Sequence, residues 1–438
     1  MNIIVDLSAT KDYLERKEFA LQKEKAALIC ENLYSREDTA NVLGWRLEET
    51  SVMQLDEIRA KAAQIRQDAD VFIIVGVGGS NQAARAVIEA LPERQGPKIL
   101  YLGNTLSPHS IASVLSEIEG KSVYIAVLAK NFKTLEPGSH FRILRQWMEG
   151  RYNREEMAKR IVVTGSIGSR LQEIAEENGY LFLQFPGSVG GRFSGFTPVA
   201  LLPIAVSGLD IDAYLAGRKA AQEDCQKNPA ENPATIYGAA RNMLYNKGYN
   251  VELLASFEPR YAYMAKWWVQ LFGESEGKEK KGIFPASAIY SEDLHSIGQY
   301  MQDGRRNLLE TFLSVKDPGV SVRVEPCPEY GDYFDYLDGM DFDLINKAAE
   351  TATIKAHSEG GVPCIRFQTE KITVESFGAL FYYFMVACAI SGTLMGVNPF
   401  DQEGVEEYKR SMFAILRNNV AISPAYSAEP IRTPPSIQ

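Results

Sequence analysis

The amino-acid sequence predicts an α/β fold of two units, each a parallel β-sheet sandwiched between helix layers. Three observations predict it. From Asp70 onward, short β-branched runs alternate with helical stretches, the pattern of strands joined by crossover helices. A second alternating series starts at Val251. The turns Val75-Gly76-Val77-Gly78-Gly79-Ser80 and Phe284-Pro285-Ala286-Ser287 occupy comparable strand-to-helix positions, which hints at a duplicated unit.

Each element follows from local pattern. Before about residue 45, Tyr13, Phe19, Leu21, Ala27 and Leu28 fall on a rough helical spacing among Lys and Glu, predicting a helical arm over 1–45. The first unit, 46–208, holds VFIIVG from Val71, KILYLG from Lys98, SVYIAVLA from Ser122, RIVVTG from Arg160 and YLFLQF from Tyr180 as strands. Helices follow the first three, the third beginning near Glu136-Pro137, and an Ala-, Leu- and Ile-rich helix spans Thr197 to Gly208. The second unit, 209–416, opens with a helix from Asp212 to Cys225. Its strands are VELLASF from Val251, KGIFPAS from Lys281, LLETFLSV from Leu308 and VPCIRF from Val362. Pro and Ser enrich the end of the chain, so 417–438 reads as an extended tail.

Composition narrows the function. The 438 residues carry 46 Lys and Arg against 56 Asp and Glu, a net charge of −10 with no basic block. That argues against nucleic acid or an anionic membrane as partner and leaves small-molecule chemistry. Five cysteines are scattered without zinc-ligand spacing, so neither disulfides nor a metal is expected. The acidic start Met1–Asp6 lacks the features of a signal peptide, and the expected location is the cytoplasm. Phe377 to Val397 is uncharged and long enough to span a bilayer, but it has no basic flank, and Ser391, Gly392 and Thr393 interrupt it. It reads as a buried core or subunit-interface helix.

Five segments could carry chemistry. Gly76 to Asn81 follows a strand and opens a helix, which presents backbone N–H groups and a helix dipole to an anion. The same glycines would also serve a tight turn needed only for packing. The loop is not a dinucleotide fingerprint, since Asn81 stands where a third glycine belongs. Gly273 to Glu279 has the wrong spacing for a nucleotide P-loop. Within it, Glu274 follows the apolar run WWVQLF and suits a partly desolvated general base, although the charged segment alone reads as a solvated loop. Arg192, directly after two glycines and before a helix, can face a ligand. Asn398 to Lys409 places Gln402, Glu406 and Lys409 on one helical face. His295 lies near a helix start, while His109, His140 and His357 read as structural.

In chain order, the segments around Arg192, Glu274, His295 and 398–409 resemble the phosphoglucose isomerase family. Gly-Gly-Arg-Phe-Ser at 190–194 and Phe-Asp-Gln-Glu-Gly-Val-Glu-Glu-Tyr-Lys at 400–409 carry most of the resemblance. It implies two sugar-isomerase (SIS) domains and aldose–ketose isomerisation of a 6-anionic hexose through a cis-enediol, without metal or cofactor. It also implies a homodimer in which His295 is donated across the interface. By resemblance, Glu274 is the base moving a proton between C2 and C1, and Arg192 stabilises the enediolate. His295 and Lys409 serve ring opening, and Gln270 and Gln402 hold sugar hydroxyls. The anion falls to Gly79, Ser80, Lys130, Asn131, Lys133 and Thr134, with Glu136 supporting the loop. One departure stands out. The family's second phosphate loop is hydroxyl-rich, whereas this chain reads Ala129-Lys130-Asn131-Phe132-Lys133-Thr134. Three readings follow: glucose 6-phosphate with Lys133 compensating, a 6-sulfonate as in sulfoquinovose, or a sensor that binds a sugar phosphate without converting it.

Overall fold

The protein is represented by a computed structural model, described over residues 3–35, 42–91 and 95–418. The chain divides into two compact units, Met1–Phe400 and Asp401–Gln438.

The first unit begins with strand β1 (Ile3–Asp6), helix α1 (Arg16–Ser35), the short α2 (Glu48–Val52) and α3 (Leu55–Asp68). Strands and helices then alternate: β2 (Val71–Val75), α4 (Gly79–Ala90), β3 (Lys98–Leu102), α5 (Pro108–Glu117), β4 (Val123–Leu128), α6 (Leu135–Glu149), α7 (Arg154–Arg160), β5 (Ile161–Gly165), α8 (Arg170–Asn178) and β6 (Leu181–Gln184). A 3-10 segment, Gly191–Phe196, leads into α9 (Pro198–Val206), α10 (Ile211–Lys227) and α11 (Pro233–Asn246). The second series is β7 (Val251–Ser256), α12 (Ala262–Glu276), β8 (Phe284–Ile289), α13 (Leu294–Asp303), β9 (Leu308–Asp317), α14 (Phe342–Glu359), β10 (Cys364–Lys371) and α15 (Val374–Leu394).

Two five-stranded sheets result. One is wholly parallel in the order β3-β2-β4-β5-β6; the other runs β1-β10-β9-β7-β8 and is parallel except for β1. The fold class is therefore α/β, parallel sheets flanked by helices, as the alternation predicts. β2, β4 and β5 are buried along their whole length, which explains their unbroken Val and Ile runs in place of a polar alternation. Residues 3–6 depart from the helical arm expected at the N-terminus. Ile3 to Asp6 pairs antiparallel with Thr369 to Arg366, and Asp6 holds Arg366 at 2.7 Å. A four-residue strand is too short to show a period, and its only cue lay 360 residues away in β10.

The apolar helix α15 is the one described helix long and apolar enough to cross a membrane, and 89% of its most apolar window is buried against this chain's own helices. Its closest neighbour is α10. A Cβ on Gly378 would lie 2.0 Å from the Tyr214 carbonyl, and one on Gly217 would lie 1.9 Å from that of Glu375. Two glycines thus let the helix backbones touch. The capping box of Thr373 and Ser376 starts α15.

All five cysteines are free thiols, and no cluster among the described residues could hold a metal. In the second unit, α16 (Glu406–Asn418) follows a 3-10 turn. The expected tail falls, from residue 419 on, outside the described residues.

Candidate active site

In the first sheet the chain leaves β2 towards β3 on one side and returns as β4 on the other, so the carboxyl ends of β2 and β4 flank a topological switch point. Ligands of open α/β sheets bind at such a crevice. Two of the sequence-predicted loops lie there: Gly76 to Ser80 after β2, and Ala129 to Thr134 after β4.

The glycine loop is shaped by close approach. Gly78 has φ +57°, and a Cβ there would lie 2.7 Å from the Gln270 amide nitrogen. A Cβ on Gly79 would lie 1.9 Å from the Gly191 carbonyl. Glycine at both positions lets the amino end of α4 press against the Arg192 segment and against α12. The structure therefore brings together Gly79, Arg192, Gln270 and Glu274.

Arg192 is fully buried and anchored in three directions. Its Nε donates to the Ser275 hydroxyl at 2.8 Å, Nη1 to Glu274 Oε2 at 3.3 Å, and Nη2 to the Pro399 carbonyl at 2.7 Å. The Trp267 indole donates to the backbone carbonyl of Arg192 at 3.1 Å. A planar guanidinium suits this fork, which a lysine could not reproduce. Glu274, in the last turn of α12, keeps 29% of its side chain exposed, accepts from Gln270 Nε2 at 3.0 Å on Oε1, and meets Arg192 on Oε2. Its carboxylate is thus held from both sides yet stays reachable. Gln270 Oε1 is buried and accepts no protein hydrogen bond among the described residues.

The loop after β4 is less uniform. Lys130 turns to the protein itself, donating to the carbonyls of Gly187 at 3.0 Å and Val189 at 2.8 Å, and burial lowers its pKa. It ties the end of β4 to the loop that delivers Arg192. Asn131, Lys133 and Thr134 are exposed, and Ser80 is half-buried. Thr134 is the N-cap of α6, but its hydroxyl makes no capping bond, so the first N–H groups of that helix remain available. Phe132, at φ +47°, packs edge-on against Phe141, their ring centroids 6.0 Å apart. Glu136 sits in the first turn of α6; one turn on, buried His140 accepts from the Gly103 N–H through Nδ1 at 2.9 Å. His295, on the first turn of α13, is exposed. Gln402 and Lys409 belong to the second unit, Gln402 exposed and Lys409 half-buried on α16.

Sequence reasoning did not single out Ser275, Glu276, Arg241 or Glu252, all buried behind this site. The available signal was the Glu-Ser-Glu run at 274–276, which read as a solvated loop but forms the last turn of α12.

The phosphoglucose isomerase family model matches residues 56–289. A protein of Symbiobacterium thermophilum named glucose-6-phosphate isomerase is 46% identical over 371 residues, covering 82% of this chain and 83% of its own. One of that name from Fusobacterium nucleatum is 40% identical, covering 94% and 95%. The crystal structure of a glucose-6-phosphate isomerase from Chlamydia trachomatis superposes with a TM-score of 0.81 at 17% identity over 97% of this chain and 90% of its own, a likeness of fold. A hypothetical protein from Thermus thermophilus reaches 0.86 at 23% identity, covering 95% and 100%. Fold, site and relatives together define an α/β isomerase of the aldose–ketose class, so a sensor without catalysis is set aside. The chain belongs to the phosphoglucose isomerase family.

Proposed function

We propose that the protein interconverts glucose 6-phosphate and fructose 6-phosphate through a cis-enediol. The observation that carries this reading is the Glu274 carboxylate, braced by Gln270 and the buried Arg192 beside an anion-binding crevice.

In the proposed mechanism, Glu274 removes the proton from C2 of the open-chain aldose and returns it to C1. Arg192 lies against Glu274 and carries a fixed positive charge into a water-poor site. It opposes the enediolate charge where that charge develops, and it needs no reorganisation to do so. Gln270 Oε1, without a hydrogen-bond partner among the described residues, accepts from a sugar hydroxyl, and family resemblance assigns another to Gln402. The 6-phosphate rests on Gly79, Ser80 and Thr134 at the amino ends of α4 and α6. Lys133 supplies the charge that hydroxyls would otherwise supply, and Asn131 adds a donor. Lys130, committed to two carbonyls, acts by holding the loop.

Ring opening uses Lys409 and the histidine of a second copy. His295 is exposed at the start of α13, which follows the edge strand β8, and that exposure leaves it reachable by a partner. The resulting homodimer would complete each site with the partner subunit's His295.

The relatives, named for glucose 6-phosphate, support the phosphate over the sulfonate. Steady-state assays with glucose 6-phosphate and sulfoquinovose side by side test this. Efficient turnover of the phosphate is expected, and turnover of the sulfonate alone would overturn it.

A further inference from the structure

The last turn of α12 aims three consecutive side chains in different directions, because a helix rotates by ~100° per residue. Glu274 faces the site, Ser275 accepts from Arg192, and Glu276 enters a fully buried cluster on the far side. There, Glu276 Oε1 accepts from Arg241 Nη1 at 2.5 Å, and the same nitrogen donates to the Ser391 hydroxyl of α15 at 2.8 Å. Arg241 Nε donates to Glu252 Oε2, while Glu252 Oε1 accepts from Tyr237 at 2.6 Å and Thr311 at 2.7 Å. Arg241, Glu252 and Glu276 are all inaccessible to solvent. The Arg241 guanidinium also lies 4.2 Å from the ring centre of Phe272, on the same helix as Glu276.

This is a poor way to gain stability. Buried ion pairs rarely repay their desolvation, and carboxylates at the carboxyl end of a helix oppose its dipole. Final helical turns also fray, because their carbonyls lack partners within the helix. What the arrangement does provide is a fixed place for a turn that would otherwise move. Each glutamate has its own buried arginine: Glu274 has Arg192, and Glu276 has Arg241.

We propose that Glu276, held by Arg241, is a positioning residue that fixes the last turn of α12 and so aims Glu274 and the Ser275–Arg192 contact at the substrate. The proposal rests on the reading of Glu274 as the base. A correctly aimed base carries a proton from C2 to C1 of the same molecule, whereas a mobile one loses more of it to solvent.

The test is isomerisation of glucose 6-phosphate in deuterium oxide by full-length Glu276→Gln, measuring kcat, KM and deuterium incorporated per turnover. A kcat lower by ~10-fold or more is expected, with KM within about twofold and more deuterium per turnover, since misplacement costs catalysis rather than uniform binding. The deuterium ratio does not depend on the fraction of folded enzyme, so a merely structural role would leave it unchanged. If Glu276→Gln does not fold, Ser391→Ala removes one acceptor from Arg241 and should raise the ratio to a smaller extent. Wild-type kcat and a wild-type ratio in the folded variant would overturn the proposal. Glu274→Gln separates the two failures: exchange persisting in it at the normal rate means the base reading is wrong, whereas its loss beside an unaltered Glu276→Gln means only the positioning role is wrong.

Discussion

Arg192 shows how one side chain joins the fold to the chemistry. Its three nitrogens donate to the Ser275 hydroxyl and the Glu274 carboxylate of α12 and to the Pro399 carbonyl, so substitution changes geometry as well as charge. Arg192→Lys keeps the charge but loses the fork. Its kcat should fall by roughly 10²–10³, the range seen when a preorganised donor to a developing anion is lost. A variant with kcat within a few fold of wild type would show that Arg192 holds the loop without stabilising the enediolate. His140 makes a second prediction at this scale. Its Nδ1 accepts from Gly103, which needs the neutral ring, and burial lowers its pKa below the ordinary 6.5, with nearby Glu136 partly opposing. Below pH 6.5 the unfolded chain then binds more protons than the folded one, so this contribution to stability is present above 6.5 and is lost as pH falls through the folded value. Thermal melts from pH 7 to 5 should slope less in His140→Leu than in wild type; equal slopes would contradict the assignment. Of these details, the sequence placed Arg192 where it can face a ligand and read His140 as structural, but left their partners unseen. It did not show that Lys130 turns away to Gly187 and Val189, because those acceptors come into reach only through the pairing of β4, β5 and β6.

At the scale of elements, the site depends on helices meeting at glycines. Gly79→Ala would push a methyl group into the Gly191 carbonyl and force α4 away from the Arg192 segment. The expected cost is about 1–3 kcal/mol of stability, the range for overpacking a tight contact, together with a raised KM for the phosphorylated sugar. Gly138, inside α6, is the control. A Cβ there meets nothing within 4 Å, so Gly138→Ala should raise stability by about 0.5–1 kcal/mol in denaturant melts without changing KM. If both substitutions had the same effect, close approach would not be what shapes the glycine loop. The strands β2, β4 and β5 were legible because a fully buried parallel strand leaves a continuous β-branched run. β1 was not legible, since four residues of pattern do not distinguish a strand from a loop. Arg241, Glu252 and Glu276 were likewise hidden. They sit on α11, β7 and α12, and only folding brings them within hydrogen-bonding distance.

For the whole molecule, the net charge of −10 directed the reading towards small-molecule chemistry, whereas the proposed chemistry turns on one buried cation, Arg192, beside Glu274. The uncharged helix α15 finds its burial within the chain, so self-association has to be argued from the exposed His295 region. If each site takes its histidine from the partner, inactive Glu274→Gln and inactive His295→Ala homodimers should complement when unfolded together and refolded. Random pairing into symmetric dimers leaves about a quarter of all sites intact, so activity should recover to about that fraction. No recovery would mean that each chain supplies its own histidine, and an active His295→Ala homodimer would mean that the site uses none. The central claim, that Glu274 is the base of an enediol isomerisation, is tested most directly by incubating glucose 6-phosphate with wild type and Glu274→Gln in deuterium oxide and reading C1 and C2 by NMR. Deuterium should enter with wild type and be abolished in the folded variant; exchange at the wild-type rate in Glu274→Gln would contradict the account.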